Sequence, residues 1–335
     1  MPDPNAVAIV RSPLAWNFFE PIVAGLRDAG CAVTEFETLE ALTDDTAFAA
    51  RCSVLVTPGL QAVGEQIFEA LPGLRGLVSP FIGIEGFDLA AATRRGVIIA
   101  NGSTWQNVES VAEATILLML AALYDLDDAR NQFRTGWRRP EGMRSRMLKE
   151  RTVGLISFGR IAQAVAKRLA PWDVSLLVSA PRLKTPLPAG AERVDLDALL
   201  ARSDIVVVLA SLNDETHGMI GLAELEMMKE DAVLIVTSRG GIVDETALMQ
   251  ILERRPQFRV ALDVFATEPL PMDSPLRSVP SAILTPHGIG HTHECIASLA
   301  PAAVAATLSL VSGKPPEVIC NPDVLDEWPG TVAQG

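Results

Sequence analysis

Positive charge is what this chain has too little of: its 335 residues hold 28 Lys and Arg against 41 Asp and Glu, a net charge of -13. That balance excludes nucleic acid and anionic membrane as partners, because nothing would neutralise phosphates over a broad surface. A site for an anionic ligand needs its own local cation. Aromatic residues are scarce as well, at 5% of a chain that is 49% hydrophobic, a composition suited to parallel sheets of Val, Ile, Leu and Ala covered by helices. The four cysteines, Cys31, Cys52, Cys295 and Cys320, show no CxxC spacing, which predicts reduced thiols in a cytoplasmic protein. The segment MPDPNAVAIV lacks the basic start and long apolar core of a signal peptide. The apolar run 114–124 is about half the ~20 residues a membrane span needs. The run 295–311 contains Ser, Thr and Pro301, so a packing helix is expected there and no membrane partner. No internal repeat or low-complexity stretch is present.

What is present is alternation. The length suggests two domains, and short apolar runs alternate with helical patterns nearly throughout, the signature of βαβ units. Strands are expected at 6–10, 32–36, 53–57, 76–79 and 97–100, then at 152–156, 174–178, 204–210, 232–238, 259–265 and 282–286. The last six make a complete dinucleotide-binding sheet. Between the two series, 108–133 has no Pro or Gly and predicts one long connecting helix. Residues 136–142 and 180–190 are the loosest stretches.

The strand at 152–156 runs into Ser157-Phe158-Gly159-Arg160-Ile161-Ala162 and a helix, the place of a G-x-G-x-x-G phosphate loop. Gly159 is the glycine where backbone approaches the phosphates most closely, and the amides at Arg160 and Ile161 open the helix that would hold them. Ala162 is an accepted third position, whereas Ser157 puts a Cβ on a turn that favours glycine. At the end of the next strand, Ala180 stands where an NAD enzyme carries Asp or Glu for the ribose hydroxyls. Arg182 and Lys184 follow it and could pair with a 2′-phosphate, so the cofactor expected is NAD(P), leaning to NADP.

Three polar residues appear where strands of the second series stop: Arg239, Glu268 and His287. In an open parallel sheet, ligands bind outside the carboxyl ends of the strands. A histidine there can give and take a proton near neutral pH, a carboxylate beside it fixes its tautomer, and a guanidinium grips a carboxylate with a planar fork. That set suits reduction of a 2-oxo acid, which needs a proton on the carbonyl oxygen as hydride reaches the carbon. Each residue alone has an ordinary surface or turn role; together, in this order, they point to chemistry.

Thr237 to Glu245 (TSRGGIVDE), Ala261 to Pro269 (ALDVFATEP) and Leu284 to His287 (LTPH) resemble the signature blocks of the D-isomer-specific 2-hydroxyacid dehydrogenases. The resemblance covers nearly the whole chain. It implies an α/β fold of two doubly wound parallel-sheet domains, with a Rossmann nucleotide domain (101–288) inserted in a flavodoxin-like substrate domain (1–100 plus 289–335). It implies that Arg239 binds substrate, Glu268 partners the histidine, His287 is the acid–base, and Asp263 holds the nicotinamide carboxamide. Thr216, Thr237 and Ser238 match positions lining the cofactor. Phe81-Ile82-Gly83-Ile84-Glu85 resembles the family's carboxylate loop, which implies substrate binding by the amides of Ile82, Gly83 and Ile84. Phe81 and Trp105 are possible pocket walls, with ordinary packing the alternative. By the same analogy the helix around Val111-Ala112-Glu113 implies a homodimer.

Three rivals are weighed. His287, His291, His293 and Glu294 could chelate a metal, but one local cluster lacks a distant ligand, so none is expected. A dinucleotide-sensing binding protein of the same fold is the functional alternative. Formate-oxidising relatives pair their histidine with glutamine, and Glu268 argues against that branch.

Overall fold

The structure, a computed structural model, describes residues 5–11, 18–136, 145–183, 185–326 and 328. Contacts divide the chain into two compact units, residues 1–106 with 293–335, and residues 107–292.

The first unit runs β1 (Ala6–Val10), α1 (Glu20–Asp28), β2 (Ala32–Phe36), α2 (Leu39–Asp44), α3 (Thr46–Ala49), β3 (Val54–Val56) and α4 (Glu65–Ala70). It continues through β4 (Gly76–Val78), α5 (Leu89–Arg94) and β5 (Ile98–Ala100) into α6 (Trp105–Leu123). The second unit takes most of α6, then α7 (Leu126–Arg134), β6 (Thr152–Ile156), α8 (Arg160–Leu169), β7 (Ser175–Ser179) and β8 (Ala191–Arg193). After these come α9 (Leu196–Arg202), β9 (Ile205–Val208), α10 (Leu222–Met227), β10 (Val233–Val236), α11 (Glu245–Arg254), β11 (Arg259–Leu262) and β12 (Ala282–Leu284). The chain returns to the first unit with α12 (His293–Val311).

Both sheets are parallel throughout, with orders β2-β1-β3-β4-β5 and β12-β11-β10-β9-β6-β7-β8. The first is the flavodoxin-like order and the second a Rossmann order extended by one strand. Alternating side chains explain why the strands read as unbroken apolar runs. In the second unit Val206, Val208, Leu234, Val236, Val260 and Leu262 enter one core cluster. Their neighbours Ile205, Val207, Val233, Ile235 and Ala261 enter the other, so both faces of these central strands are covered and both favour apolar side chains. Each fully buried Val, Leu or Ile contributes about 1.5–3 kcal/mol.

Three expectations need correction. The second sheet has seven strands, not six. The missed β8 is Ala-Glu-Arg at the sheet edge with mostly exposed side chains, so burial left no mark on its sequence. The long helix is two, broken at Tyr124 and Asp125, with Asp125 at φ 54. The break is imposed from outside: Arg259, buried in β11, donates Nη1 to the carbonyls of Ala122 (2.7 Å) and Leu123 (3.0 Å) and Nη2 to Asp125 (2.9 Å). Its guanidinium satisfies the helix-end carbonyls that a further turn would otherwise bond. Finally, all of run 114–124 but Tyr124 belongs to a 19-residue helix; α6 and α12 are both long and apolar enough to cross a membrane by length and composition. Each lays a face into the core of its own unit, Leu118, Met119 and Leu123 for α6, Ala300, Ala303 and Leu310 for α12.

Candidate active site

Parallel strands bring all their carboxyl ends to one edge. In the second sheet, β6, β10, β11 and β12 deliver four loops there, carrying Ser157 to Gly159, Thr237 to Asp244, Asp263 to Glu268, and Thr285 to Thr292.

Glu268 and His287 meet. Nδ1 of His287 lies 2.7 Å from Oε2 of Glu268, while Oε1 accepts the amide of Phe265 at 2.9 Å. The carboxylate is therefore fixed at both oxygens, and the imidazole is left about two-fifths exposed at 41%. Bonding Nδ1 in this way aims Nε2 away from the glutamate, which is the arrangement that frees one ring nitrogen for proton exchange.

His287 sits at φ 49, in left-handed backbone that side chains other than glycine adopt uncommonly. What holds it there is Asp263, 5% exposed. Its Oδ1 accepts from Thr285 Oγ1 (2.6 Å), Gly288 N (3.1 Å) and Ile289 N (3.3 Å), bracketing His287 from both sides. This bracing role was not read from the sequence; the three donors lie 22 to 26 residues away, beyond the reach of any local pattern.

Arg239 follows β10 and donates Nη1 to its neighbouring carbonyl, that of Ser238, at 2.7 Å. The backbone of Gly240 passes so close to the Phe265 carbonyl that a Cβ would overlap it, which is why glycine is needed there. Thr237 is buried and its hydroxyl pairs with that of Thr115 at 3.0 Å. The hydroxyl of Ser238 is buried without a partner among the described residues. Thr216 spends its hydroxyl inside its own turn, donating to the Ser211 carbonyl (2.7 Å) and accepting the Asn213 amide (2.9 Å).

The phosphate-loop position fits a dinucleotide. Gly159 is the N-cap of α8 with no side-chain cap, and a Cβ built on it would meet nothing within 4 Å. Its bare backbone therefore faces open space at a helix N-terminus, and the amides of Gly159 and Ile161 have no acceptor among the described residues. Arg160 begins the helix beside them. Ser157 does adopt the glycine-like turn, at φ 81, so the expected discomfort of a Cβ is real and is tolerated. Ala180 is buried at the end of β7. Arg182 is exposed and paired with Glu215 at 2.5 Å. Lys184 lies outside the described residues.

In the first unit, the loop after β4 presents its amides. Four consecutive carbonyls are engaged: Phe81 by the Gly102 amide (2.9 Å), Ile82 by Asn101 Nδ2 (2.7 Å), Gly83 by Ser79 Oγ (3.1 Å) and Ile84 by the Phe87 amide (3.0 Å). The amides of Ile82, Gly83 and Ile84 have no acceptor among the described residues. Holding carbonyls back while leaving consecutive N–H groups free is how backbone makes an anion cradle. Asn101 and Ser79 were not singled out in the sequence, since each acts on a carbonyl rather than on a ligand. Phe81 is half-buried and stacks on Phe18 with ring centroids 4.7 Å apart, so ordinary packing describes it; Trp105 is exposed, at 66%.

Among the described residues no group of three or more His, Cys, Asp or Glu side chains could hold a metal ion. Burial pushes the Cys52 and Cys320 thiols up to about 12, so neither offers a thiolate near neutral pH. A cavity of about 570 Å³ opens at the other edge of the sheet, beside Thr152, Ser175 and the Arg202–Glu192 ion pair, away from these loops.

Residues 116–288 match the sequence profile of the D-isomer specific 2-hydroxyacid dehydrogenase NAD binding domain. The chain belongs to that family. Glyoxylate reductase of Thermofilum pendens is 34% identical over 275 residues, covering 80% of each chain. Glyoxylate/hydroxypyruvate reductase B of Pectobacterium atrosepticum is 33% identical over 304 residues, 89% of this chain and 94% of the relative. Among solved structures, 2-hydroxyacid dehydrogenase from Ketogulonicigenium vulgare superposes with TM-score 0.79 at 25% identity, covering 95% and 98% of the two chains. This 2-hydroxyacid dehydrogenase family member is thus a nicotinamide-dependent oxidoreductase of 2-oxo and 2-hydroxy acids, on two parallel-sheet α/β domains.

Proposed function

We propose that the chain reduces small 2-oxo acids of the glyoxylate and hydroxypyruvate type to D-2-hydroxy acids, preferring NADPH. The observation that carries this reading is the 2.7 Å bond between Glu268 and His287, on the loops of adjacent strands β11 and β12. Bound dinucleotide supplies hydride to the carbonyl carbon. His287 gives the proton to the carbonyl oxygen, and Glu268 holds the imidazole in position and stabilises its protonated form. Arg239 grips the substrate carboxylate and polarises the carbonyl. The amides of Ile82, Gly83 and Ile84 form a carboxylate-binding element on their own geometry. Ser157, Gly159, Arg160 and Ile161 hold the pyrophosphate at the start of α8. Thr216, Thr237, Ser238 and Asp263 line the nicotinamide end. Asp263 does so while bracing the His287 loop.

The NADPH preference follows from Ala180, which removes the carboxylate that would repel a 2′-phosphate, and from Arg182 beside it, with Lys184 adding charge. The domain roles follow from the same assignments: residues 101–288 take the nucleotide, and 1–100 with 289–335 the substrate. The exposed apolar side chains of Leu117 on α6, Tyr124 at the break, and Leu126 and Phe133 on α7 support a homodimer face. The four cysteines are free, which suits the reducing cytoplasm.

The deciding experiment is a panel of glyoxylate, hydroxypyruvate, pyruvate and aromatic 2-oxo acids, each with NADPH and NADH. Fast turnover of the two smallest acids with NADPH supports the reading. A clear NADH preference removes the cofactor assignment, and tight dinucleotide binding without turnover of any acid favours a sensor.

A further inference from the structure

The two loops that carry Arg239 and Glu268 are tied together by a residue outside the acid–base set. Strands β10 and β11 are parallel neighbours in register, Val236 beside Leu262, so the loops leaving them run side by side. The turn after β11 has two consecutive amides aimed at carboxylates. Phe265 N donates to Glu268 Oε1 at 2.9 Å, and Ala266 N donates to Glu245 Oε1 at 2.6 Å. From the β10 side, Gly240 passes so near that a Cβ on it would overlap the Phe265 carbonyl. Glu245 is the first residue of α11, so its charge is stabilised by the helix N-terminus and its carboxylate lines the same small cavity as Arg239.

We infer that Glu245 is a positioning residue for the acid–base pair: by taking the Ala266 amide it sets the turn from which Glu268 reaches His287. The inference rests on the reading of His287 as the acid–base. The charged and titratable groups around this turn among the described residues include Glu245 from α11, Asp263 and Glu268 on its own loop, Arg239 from the loop after β10, and His287 after β12. The bond runs 21 residues in sequence from the turn it fixes. At 2.6 Å it is short and directional. Without it, the Glu268 bond and the core packing of Val264 and Phe265 still hold the turn, but the carboxylate that orients the imidazole gains freedom. What matters in this account is reach, not charge: a side chain long enough to place an acceptor oxygen at Ala266 N suffices.

That distinction gives the test. Glu245→Gln keeps length and acceptor but loses charge. Glu245→Asp keeps charge at the helix start but loses reach, and Glu245→Ala loses both. Steady-state NADPH oxidation with glyoxylate, or hydroxypyruvate if faster, is measured on the full chain, with NADPH affinity from fluorescence and Tm as control. Glu245→Gln is expected within about threefold of the parent kcat, while Glu245→Asp and Glu245→Ala lose roughly 10- to 100-fold, the scale of a small misplacement of a catalytic group. NADPH affinity should not change. In a Glu268→Gln background, followed with excess enzyme, Glu245→Ala should add less than about threefold, since residues acting through one another are non-additive. The inference is overturned if Glu245→Gln is as slow as Glu245→Ala, if Glu245→Asp matches the parent, or if the two losses multiply in full. Should His287→Asn keep its turnover, the acid–base reading fails instead, whatever Glu245 does.

Discussion

Asp263 offers the sharpest quantitative test, because a single oxygen of a buried carboxylate carries three hydrogen bonds that hold His287 in left-handed backbone. Replacing it by alanine removes the one acceptor on which all three bonds converge. A hydrogen bond to a charged group is worth about 1.5–3 kcal/mol net, and the three share one oxygen, two of them at 3.1 Å or longer, so they do not sum in full. Part of the loss returns when His287 relaxes from a conformation costing about 1–3 kcal/mol. The expected net destabilisation for Asp263→Ala is about 3 kcal/mol. Asp263→Asn retains a neutral acceptor for the same donors and should cost about 1 kcal/mol. Guanidinium unfolding gives the number. Because a two-unit chain need not unfold in one step, hydrogen exchange over residues 285–292 supplies the local readout, with the Gly288 and Ile289 amides losing protection. Turnover of Asp263→Ala should fall roughly 10²-fold as the imidazole loses its position. The reasoning is refuted if Asp263→Ala stays within about 1 kcal/mol of the parent with its amides still protected, or if Asn and Ala are equally damaging.

His287→Asn should abolish reduction while leaving dinucleotide affinity nearly unchanged by calorimetry; Arg239→Lys, which keeps charge but loses the fork, should mainly raise KM with a further loss in kcat. Arg259→Met strips a buried cation from Asp125 and from the carbonyls of Ala122 and Leu123, and should cost about 3 kcal/mol in denaturant unfolding, much of it recovered when Asp125→Ala is added. Asp204 titrates below its ordinary value of 3.8: burial opposes this, but the Thr152 amide and Lys229 ammonium outweigh it. With the folded value depressed, its stabilisation is complete above the unfolded value and is lost as pH falls through the folded one. Asp204→Asn should therefore lower stability at neutral pH and flatten the acid limb of a stability–pH profile; an unchanged limb would show that Asp204 contributes nothing to it.

Much of the site was legible because its residues sit at strand ends, and strand ends are marked by where apolar runs stop. Arg239, Glu268 and His287 each follow such a run, and parallel topology then sends them to the same sheet edge. Ser157 was legible through glycine chemistry: its φ of 81 is the conformation a glycine would have taken. Phe81 was not legible. A phenylalanine beside a carboxylate loop reads equally as pocket wall or packing, and only its stacking on Phe18 decides.

The sequence by itself determined the alternation of strands and helices, the two parallel sheets and the acidic character, because these depend on local periodicity and composition. Tertiary structure decided what depends on partners far along the chain. Arg259 ends a helix 134 residues before it through Asp125, β8 joins an edge without burying its side chains, and Asp263 bends the histidine loop. In each case the physical agent is a hydrogen-bonding group meeting its partner across the fold, and no repeat or pattern near either residue records that meeting.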